Sequence, residues 1–332
     1  LDYWFHVLLP VNLKKQTFYF IILTMKEYKG IGRAWVVKNI KGNESVDEIV
    51  KLLNTKSKQE YEITTNNFDM KRNEILIKIE SLGESCDGIV AIGDKDFPKC
   101  RGNVKESEQP IFIFYKGDLS LLDLGNNNVT VIGLLNPDES IELRERKIVS
   151  ELVKHEITVV SGLALGCDSI SHREALNSGK TIAILPSSLD NIIPSANRQL
   201  AFDIVEEGGL LITEYFEKHK SSMDLNGRYK DRDRLQALYC DAIILVASYA
   251  QDSAKKWNIF GKKLDSGARL AMNFAKEYNI PRAIMYNKDI DLNNPMFDLN
   301  RQLIGEQSEV IVLSKKSLNE LISNLKLGNF NN

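Results

Sequence analysis

The chain reads as an α/β protein, with a mainly parallel sheet carrying helices on both faces and a small, mainly helical domain in front of it. Three observations predict this. From Val129 onward, short apolar runs alternate with amphipathic stretches, the order expected of a parallel sheet covered on both sides. Residues 161–185 join two strand-like segments through a glycine-marked turn and a helix, which is one half of a nucleotide- or phosphate-binding unit. Before about residue 115 the apolar spacing is mostly helical, with a short extended finish.

Taken in order, Lys29-Gly30-Ile31-Gly32-Arg33 divides apolar helical segments. It reads as a structural turn between packed helices, or as a helix-hairpin-helix-like turn whose glycine N–H groups meet nucleic-acid phosphate. Residues 74–89 suggest a helix entering a short strand, and 111–115 a stronger strand. Gly117 and Gly125-Asn126-Asn127-Asn128 mark turns, so we expect domains at 1–127 and 128–332. Strands are expected at 129–133, 158–160, 181–185, 210–213, 242–247 and 283–286, with helices at 142–154, 171–178, 196–206, 234–240 and 267–277. A last strand at 309–313 and helix at 316–325 should complete or cover a sheet edge, and are too short for a winged-helix appendix. No solenoid period is present.

Composition sets the broad class. The 332 residues are 43% hydrophobic and 27% charged with a formal net charge of -2, which excludes a polycation but leaves room for a local basic site. Cys86, Cys100, Cys167 and Cys240 are too dispersed for a metal motif or a disulfide scaffold, and fit a reducing cytoplasm. Apolar residues 7–9 and 18–23 are interrupted by Asn12, Lys14, Lys15 and Gln16, so neither a membrane span nor an export signal is expected, and no membrane partner.

A ligand crevice should lie beyond the strand C-termini, near Gly133, Gly162, Pro186 and Thr213. Gly162 and Gly166 permit tight backbone or close ligand approach, and the helix that follows offers early N–H groups to an anion. Asp168 is expected to cap that helix and, with Ser161 and Glu214, to organise the loop. His172 holds a neighbouring loop by a hydrogen bond or meets phosphate when protonated. Arg198, Lys218, Lys220, Arg228, Lys230, Arg232 and Arg234 form a cationic route, continued by Lys255, Lys256, Lys262, Lys263 and Arg269. Tyr229, Tyr249 or Trp257 could stack on unpaired bases, and interrupting acids (Glu214, Glu217, Asp224, Asp231, Asp233 and Asp265) argue for a shaped groove. Arg232 and Arg234 are expected to grip phosphate, and to be replaceable by alanine without loss of the thermal transition. The bland counterpart is an ordinary charged face with a few packed aromatics.

Neither a nucleophile elbow, nor paired glycosidase acids, nor a phosphate-binding P-loop is present. The expectation is binding without catalysis, with no catalytic residue, cofactor or metal. Two alternatives stand: a sensor or hydrolase of a nucleotide or its derivative, with Pro186-Ser187-Ser188 at the ligand loop, and a protein-interaction domain with a purely structural crevice.

A family pattern emerges from Ser161-Gly162-Leu163-Ala164, Gly166-Cys167-Asp168 and His172, then residues 179–185, Asp190, Pro194, Asn197 and Leu200. Thr213-Glu214, Arg232-Asp233-Arg234, Ser266-Gly267 and Ala271 follow in register. Across 129–287 the chain resembles the DprA/Smf DNA-processing family, and more weakly through 29–33, Asp96-Phe97-Pro98 and Gly117. The resemblance implies a Rossmann-like domain that binds single-stranded DNA, self-associates as a homodimer and helps load a RecA-type recombinase in transformation. It implies DNA or phosphate contacts at Gly162, Gly166, His172, Arg198, Lys230, Arg232, Arg234, Ser266, Gly267 and Arg269. The chain departs from the pattern with Gly133-Leu134-Leu135 where glycine-serine-arginine is usual, with Asp233 for asparagine, and with Tyr286-Asn287 for proline-glycine.

Overall fold

A computed structural model describes residues 18–56, 58–260, 264, 267–306 and 309–329. Grouped by contacts, the chain forms two compact units, Leu1–Phe97 with Lys105–Tyr115, and Pro98–Val104 with Lys116–Asn332. That division falls earlier than the 127/128 division read from sequence. Among the described residues no helix is long and apolar enough to cross a membrane.

The first unit is built from helices α1 (Phe18–Lys26), α2 (Arg33–Asn39), α3 (Val46–Lys56) and α4 (Thr65–Glu80), followed by an antiparallel pair, β1 (Gly88–Ala91) and β2 (Phe112–Gly117). Its core gathers Ile22, Met25, Val36, Ile49, Leu53 and Phe68, with Tyr28 stacked on Phe68 at 6.1 Å. The Lys29–Arg33 motif is the turn between α1 and α2. Gly30 adopts φ +92°, and the Lys29 carbonyl accepts from Lys58 N–H at 2.8 Å, so the turn is tied to the chain entering α4.

The second unit starts with β3 (Asn128–Ile132), α5 (Glu139–Lys154), β4 (Thr158–Ser161), α6 (Cys167–Ala175), β5 (Thr181–Ile184), α7 (Arg198–Glu206) and β6 (Leu210–Thr213). It continues through α8 (Ser222–Leu238), β7 (Ala242–Leu245), α9 (Ser253–Lys256), α10 (Ala268–Glu277), β8 (Arg282–Met285), α11 (Lys288–Asp291), α12 (Asp298–Gly305), β9 (Val310–Leu313) and α13 (Lys315–Lys326). Its strands lie in the order β6-β5-β4-β3-β7-β8-β9, all parallel. The expected Rossmann-like sheet is therefore present, and β9 extends its edge beside β8. α5, α6 and α13 share one core with β3, β4, β7 and β8, through residues such as Val149, Leu152, Ala175, Leu321 and Val131.

The chain leaves β3 toward β4 on one side and later returns to β7 on the other, so the switch point lies at the C-terminal ends of these central strands. A buried arginine explains why Pro98–Val104 belongs here. Arg101 pairs with Asp241 at 2.9 Å and donates to the carbonyls of Leu122, Asp123 and Asn126, fastening the approach to β3.

The largest departure from the sequence reading is α8. A helix was expected only over 234–240, whereas it begins at Ser222, capped by the Ser221 side chain accepting from Asp224 N–H. Its inward residues include Arg228, Arg232, Asp233 and Arg234, so the buried face carries paired charge where an apolar stripe would have announced a helix.

Candidate nucleic-acid interface

β4 ends on Ser161, whose hydroxyl donates to the Val131 carbonyl at 2.7 Å and locks the strand end to β3. The following loop is then pinned by one carboxylate oxygen. Asp168 Oδ2 accepts from Gly162 N–H at 3.1 Å, Ala164 N–H at 3.2 Å and Arg232 Nη1 at 3.2 Å. Asn197 Nδ2 also donates to the Leu163 and Ala164 carbonyls at 2.9 and 3.0 Å. Leu163 is held at φ +57°, in the left-handed region that leucine rarely enters. Asp168 thus braces the loop more than it caps the helix.

The glycines serve close packing. A Cβ on Gly162 would stand 1.4 Å from Arg232 Nη1, and one on Gly267 would stand 2.5 Å from Asp233 Oδ2. These two positions, expected to meet phosphate, instead make room for the buried charges of α8. Gly166, at φ +72°, brings the loop against β3's continuation, where a Cβ would lie 2.2 Å from the Leu134 carbonyl. That carbonyl accepts from Cys167 N–H at 2.9 Å. One early N–H of α6 expected to attract an anion is therefore used within the fold. At the Gly133-Leu134-Leu135 departure, Leu134 is buried and Leu135 is exposed.

The arginines of α8 are inside. Arg232 Nε lies 3.0 Å from Asp233 Oδ1, and both Arg232 and its acids are buried. Burial works against the arginine's charge, but the Asp233 and Asp168 carboxylates overcome it and raise its pKa. Arg234 pairs with buried Glu214. Arg228 donates to the Glu217 and Lys218 carbonyls and lies over the Tyr215 ring at 4.3 Å, bracing the connection between β6 and α8. This corrects the expectation that Arg228, Arg232 and Arg234 reach into a groove: all three are buried and pair with internal acceptors.

His172 is fully buried, with Nδ1 2.7 Å from the Thr181 hydroxyl. That hydroxyl donates to the Val159 carbonyl, so His172 Nδ1–H is the donor to it. Burial and Arg173 push its pKa down to about 3, so the ring is neutral and inaccessible to phosphate. Sequence reasoning missed Glu145, buried on α5 and accepting from the Ser171 hydroxyl at 2.7 Å. Burial lifts its pKa to about 8, against the hydrogen bonds from Ser171 and Cys167. Its signal was an acid at helical spacing between Ile141 and Val149, on an otherwise apolar stripe.

Other expected cations remain at the surface. Arg198 at the start of α7, Lys218 and Lys220 between β6 and α8, and Lys230 on α8 are exposed, while Arg269 is half-buried. Lys256 pairs with Asp298, and Trp257 donates its indole N–H to the same carboxylate, so its ring is held by the protein. Tyr229 and Tyr249 are half-buried. Lys262, Lys263, Asp265 and Ser266 lie outside the described residues, as do residues 1–17. Among the described residues no cluster of three or more histidine, cysteine or acidic side chains is placed to hold a metal ion.

Residues 88–322 match the family model described as DNA recombination-mediator protein A. Protein Smf of Borreliella burgdorferi is 31% identical over 159 residues, covering 48% of each chain. The chain spans about half the length of the curated relatives it matches. The X-ray structure of DNA processing protein A from Streptococcus pneumoniae aligns with a TM-score of 0.62 and 21% identity, over 93% of this chain and 95% of that one. DNA processing protein A from Helicobacter pylori, a structure concerned with its single-stranded DNA binding mode, aligns with a TM-score of 0.51 and 23% identity, over 70% and 99%. At these identities the structural likeness is one of fold.

Proposed function

This chain belongs to the DNA recombination-mediator protein A family, and on that premise we propose that it binds single-stranded DNA beyond the C-terminal ends of β4, β5 and β6 without altering it chemically. One observation carries the reading. The loop after β4 is fixed in shape by Asp168, Arg232 and Asn197, and exposed Arg198, Lys218 and Lys220 stand on the segments that leave the neighbouring strands. Lys230 adds a cation further along α8. Spaced cations suit the separated phosphates of a flexible strand.

The Helicobacter pylori protein's single-stranded DNA binding mode supports carrying that ligand class to this chain. Internal hydrogen bonding of Asp168 and His172 supports binding without chemistry. The proposal extends, through the family resemblance alone, to a RecA-type recombinase as recipient of the strand, to a homodimer and to a cytoplasmic setting.

Fluorescence anisotropy with labelled oligothymidylate across a salt series tests the groove. Combined alanine substitution at Arg198, Lys218 and Lys220 should weaken binding at least tenfold at low salt. It should also reduce the salt slope by about 2, since each phosphate contact on a single strand contributes about 0.7. An unchanged slope, or no binding by the parent protein at low salt, refutes the assignment. A nucleotide is the second reading, favoured by the buried Ser187 and Ser188 hydroxyls after β5, which have no hydrogen-bond partner among the described residues. Saturable binding of mononucleotides, with none of oligothymidylate, would select it.

A further inference from the structure

We propose that the second unit carries a separate pocket for a small amphipathic organic anion, an apolar body ending in a carboxylate, at the C-terminal ends of β8 and β9. The cavity there measures about 420 Å³, within the roughly 300–1,000 Å³ usual for small-molecule sites. Its walls follow from the fold. α5 presents Arg144, Lys147, Ile148 and Glu151 at the i, i+3, i+4, i+7 spacing that places side chains on one helix face. The first turn of α13 contributes Lys315 and Leu318 from the other side, and Met285 and Leu313, the last residues of β8 and β9, lie between them.

The apolar part consists of Ile148, Met285, Leu313 and Leu318, with Tyr286 beside them. The Tyr286 ring packs edge-on against Phe297 at 6.2 Å, which gives the cavity a fixed aromatic wall. Such a lining disfavours a fully hydrated ion and favours a hydrocarbon or aryl body.

Charge selects the other end of the ligand. Arg144 does not: both of its Nη atoms bind the Asp291 carboxylate at 2.8 Å, and its guanidinium lies over Phe297. Glu151 faces Lys154 and His155 at 3.7 and 3.8 Å. Lys147 and Lys315 are exposed and enter no ion pair among the described residues, so they are the cations available to a ligand. Lys315 also opens α13, whose N-terminal dipole adds partial positive charge. Two of that helix's terminal N–H groups are already satisfied by the Ser314 and Ser317 capping box, which leaves the lysines as the principal holders of the head group. Tyr286-Asn287, where the chain leaves the family's proline-glycine pattern, lines this pocket.

Isothermal titration calorimetry of the full chain with 4-phenylbutyrate, its neutral amide and inorganic phosphate separates the contributions. We expect saturable binding of the carboxylate, at least tenfold weaker binding of the amide, and none of phosphate. Lys147→Ala and Lys315→Ala should each weaken carboxylate binding about fivefold, the upper range for an exposed ion pair, with the thermal transition unmoved because both side chains are exposed. Saturating oligothymidylate should leave the carboxylate bound. The proposal is overturned by no carboxylate binding, by equal binding of the amide, by undiminished binding in the double lysine variant, or by displacement with oligothymidylate, which would assign the cavity to the DNA groove.

Discussion

Replacing Arg232 with alanine is the most direct probe of how the loop is built. Its guanidinium contacts Asp168 at 3.2 Å and Asp233 at 3.0 Å, with side-chain exposures of 8% for Arg232, 8% for Asp168 and 2% for Asp233. Alanine leaves two carboxylates without their shared cation in a region that water scarcely reaches. Breaking a buried pair on one side costs about 3–5 kcal/mol. For a unit of this size each kcal/mol moves the midpoint by roughly 2–4 °C, so the thermal transition should fall by roughly 6–20 °C. Urea denaturation followed by circular dichroism measures the loss. Adding Asp168→Asn and Asp233→Asn to an Arg232→Met chain should recover about half of it or more, because the charges leave together. A single Arg232→Ala variant within about 1 kcal/mol of the parent refutes the reasoning. Burial of Arg232 and Arg234 with their acids thus predicts a lowered transition, where the sequence alone led us to expect that alanine at both positions would spare it.

Gly162→Ala should mimic that loss, since its Cβ would lie 1.4 Å from Arg232 Nη1 and 2.9 Å from Asp168 Oδ2. In the Arg232→Ala background the same substitution should add little, and a fully additive cost measured in urea would show that the glycine serves another purpose. Glu145 gives a pH signature: its carboxyl titrates near 4.5 unfolded and about 8 folded, so stability is full below about 4.5 and is lost as pH rises toward about 8. At pH 7 that loss is at most about 3 kcal/mol, so Glu145→Gln should stabilise the protein by up to that amount and flatten the stability profile over this window. An unchanged profile in denaturation from pH 5 to 8 would remove Glu145 as its source.

The sheet was legible because its strands are short and apolar, and most of the helices between them, α8 excepted, carry an ordinary apolar period. Residues 210–213 were placed as they occur in β6, and the other expected strand ends fell within one or two residues, as at 158–160 for β4 and 283–286 for β8, whereas helix starts were missed by more, as at 171 for α6, which begins at Cys167. What failed was the second half of the code, the sign of a charged residue's direction. Arg228, Arg232 and Arg234 have the same letters whether they face water or acids, and only the fold brings Asp168 and Glu214, distant in sequence, beneath them. The short α9, α11 and α12 were missed for want of a readable apolar period. α9 and α11 are single four-residue turns, too short to show a period, and α12 buries Asp298 and Asn300 beside Leu299 and Leu303, so its inward face is half polar.

These buried charges also change how the glycine pattern should be understood. Gly162 and Gly267 have no side chain because the Arg232 and Asp233 groups lie where their Cβ atoms would be. Asp168 is shared between the loop's N–H groups and Arg232, so loop shape and α8 position are set by the same oxygen. A DNA-binding defect in Arg232→Ala therefore says little about contact, because the loop would loosen with the pair. The exposed cations carry the opposite logic. Arg198, Lys218 and Lys220 can be removed without uncovering a buried acid, so a lower salt slope in their variants reports phosphate contacts and can be read against an unmoved thermal transition.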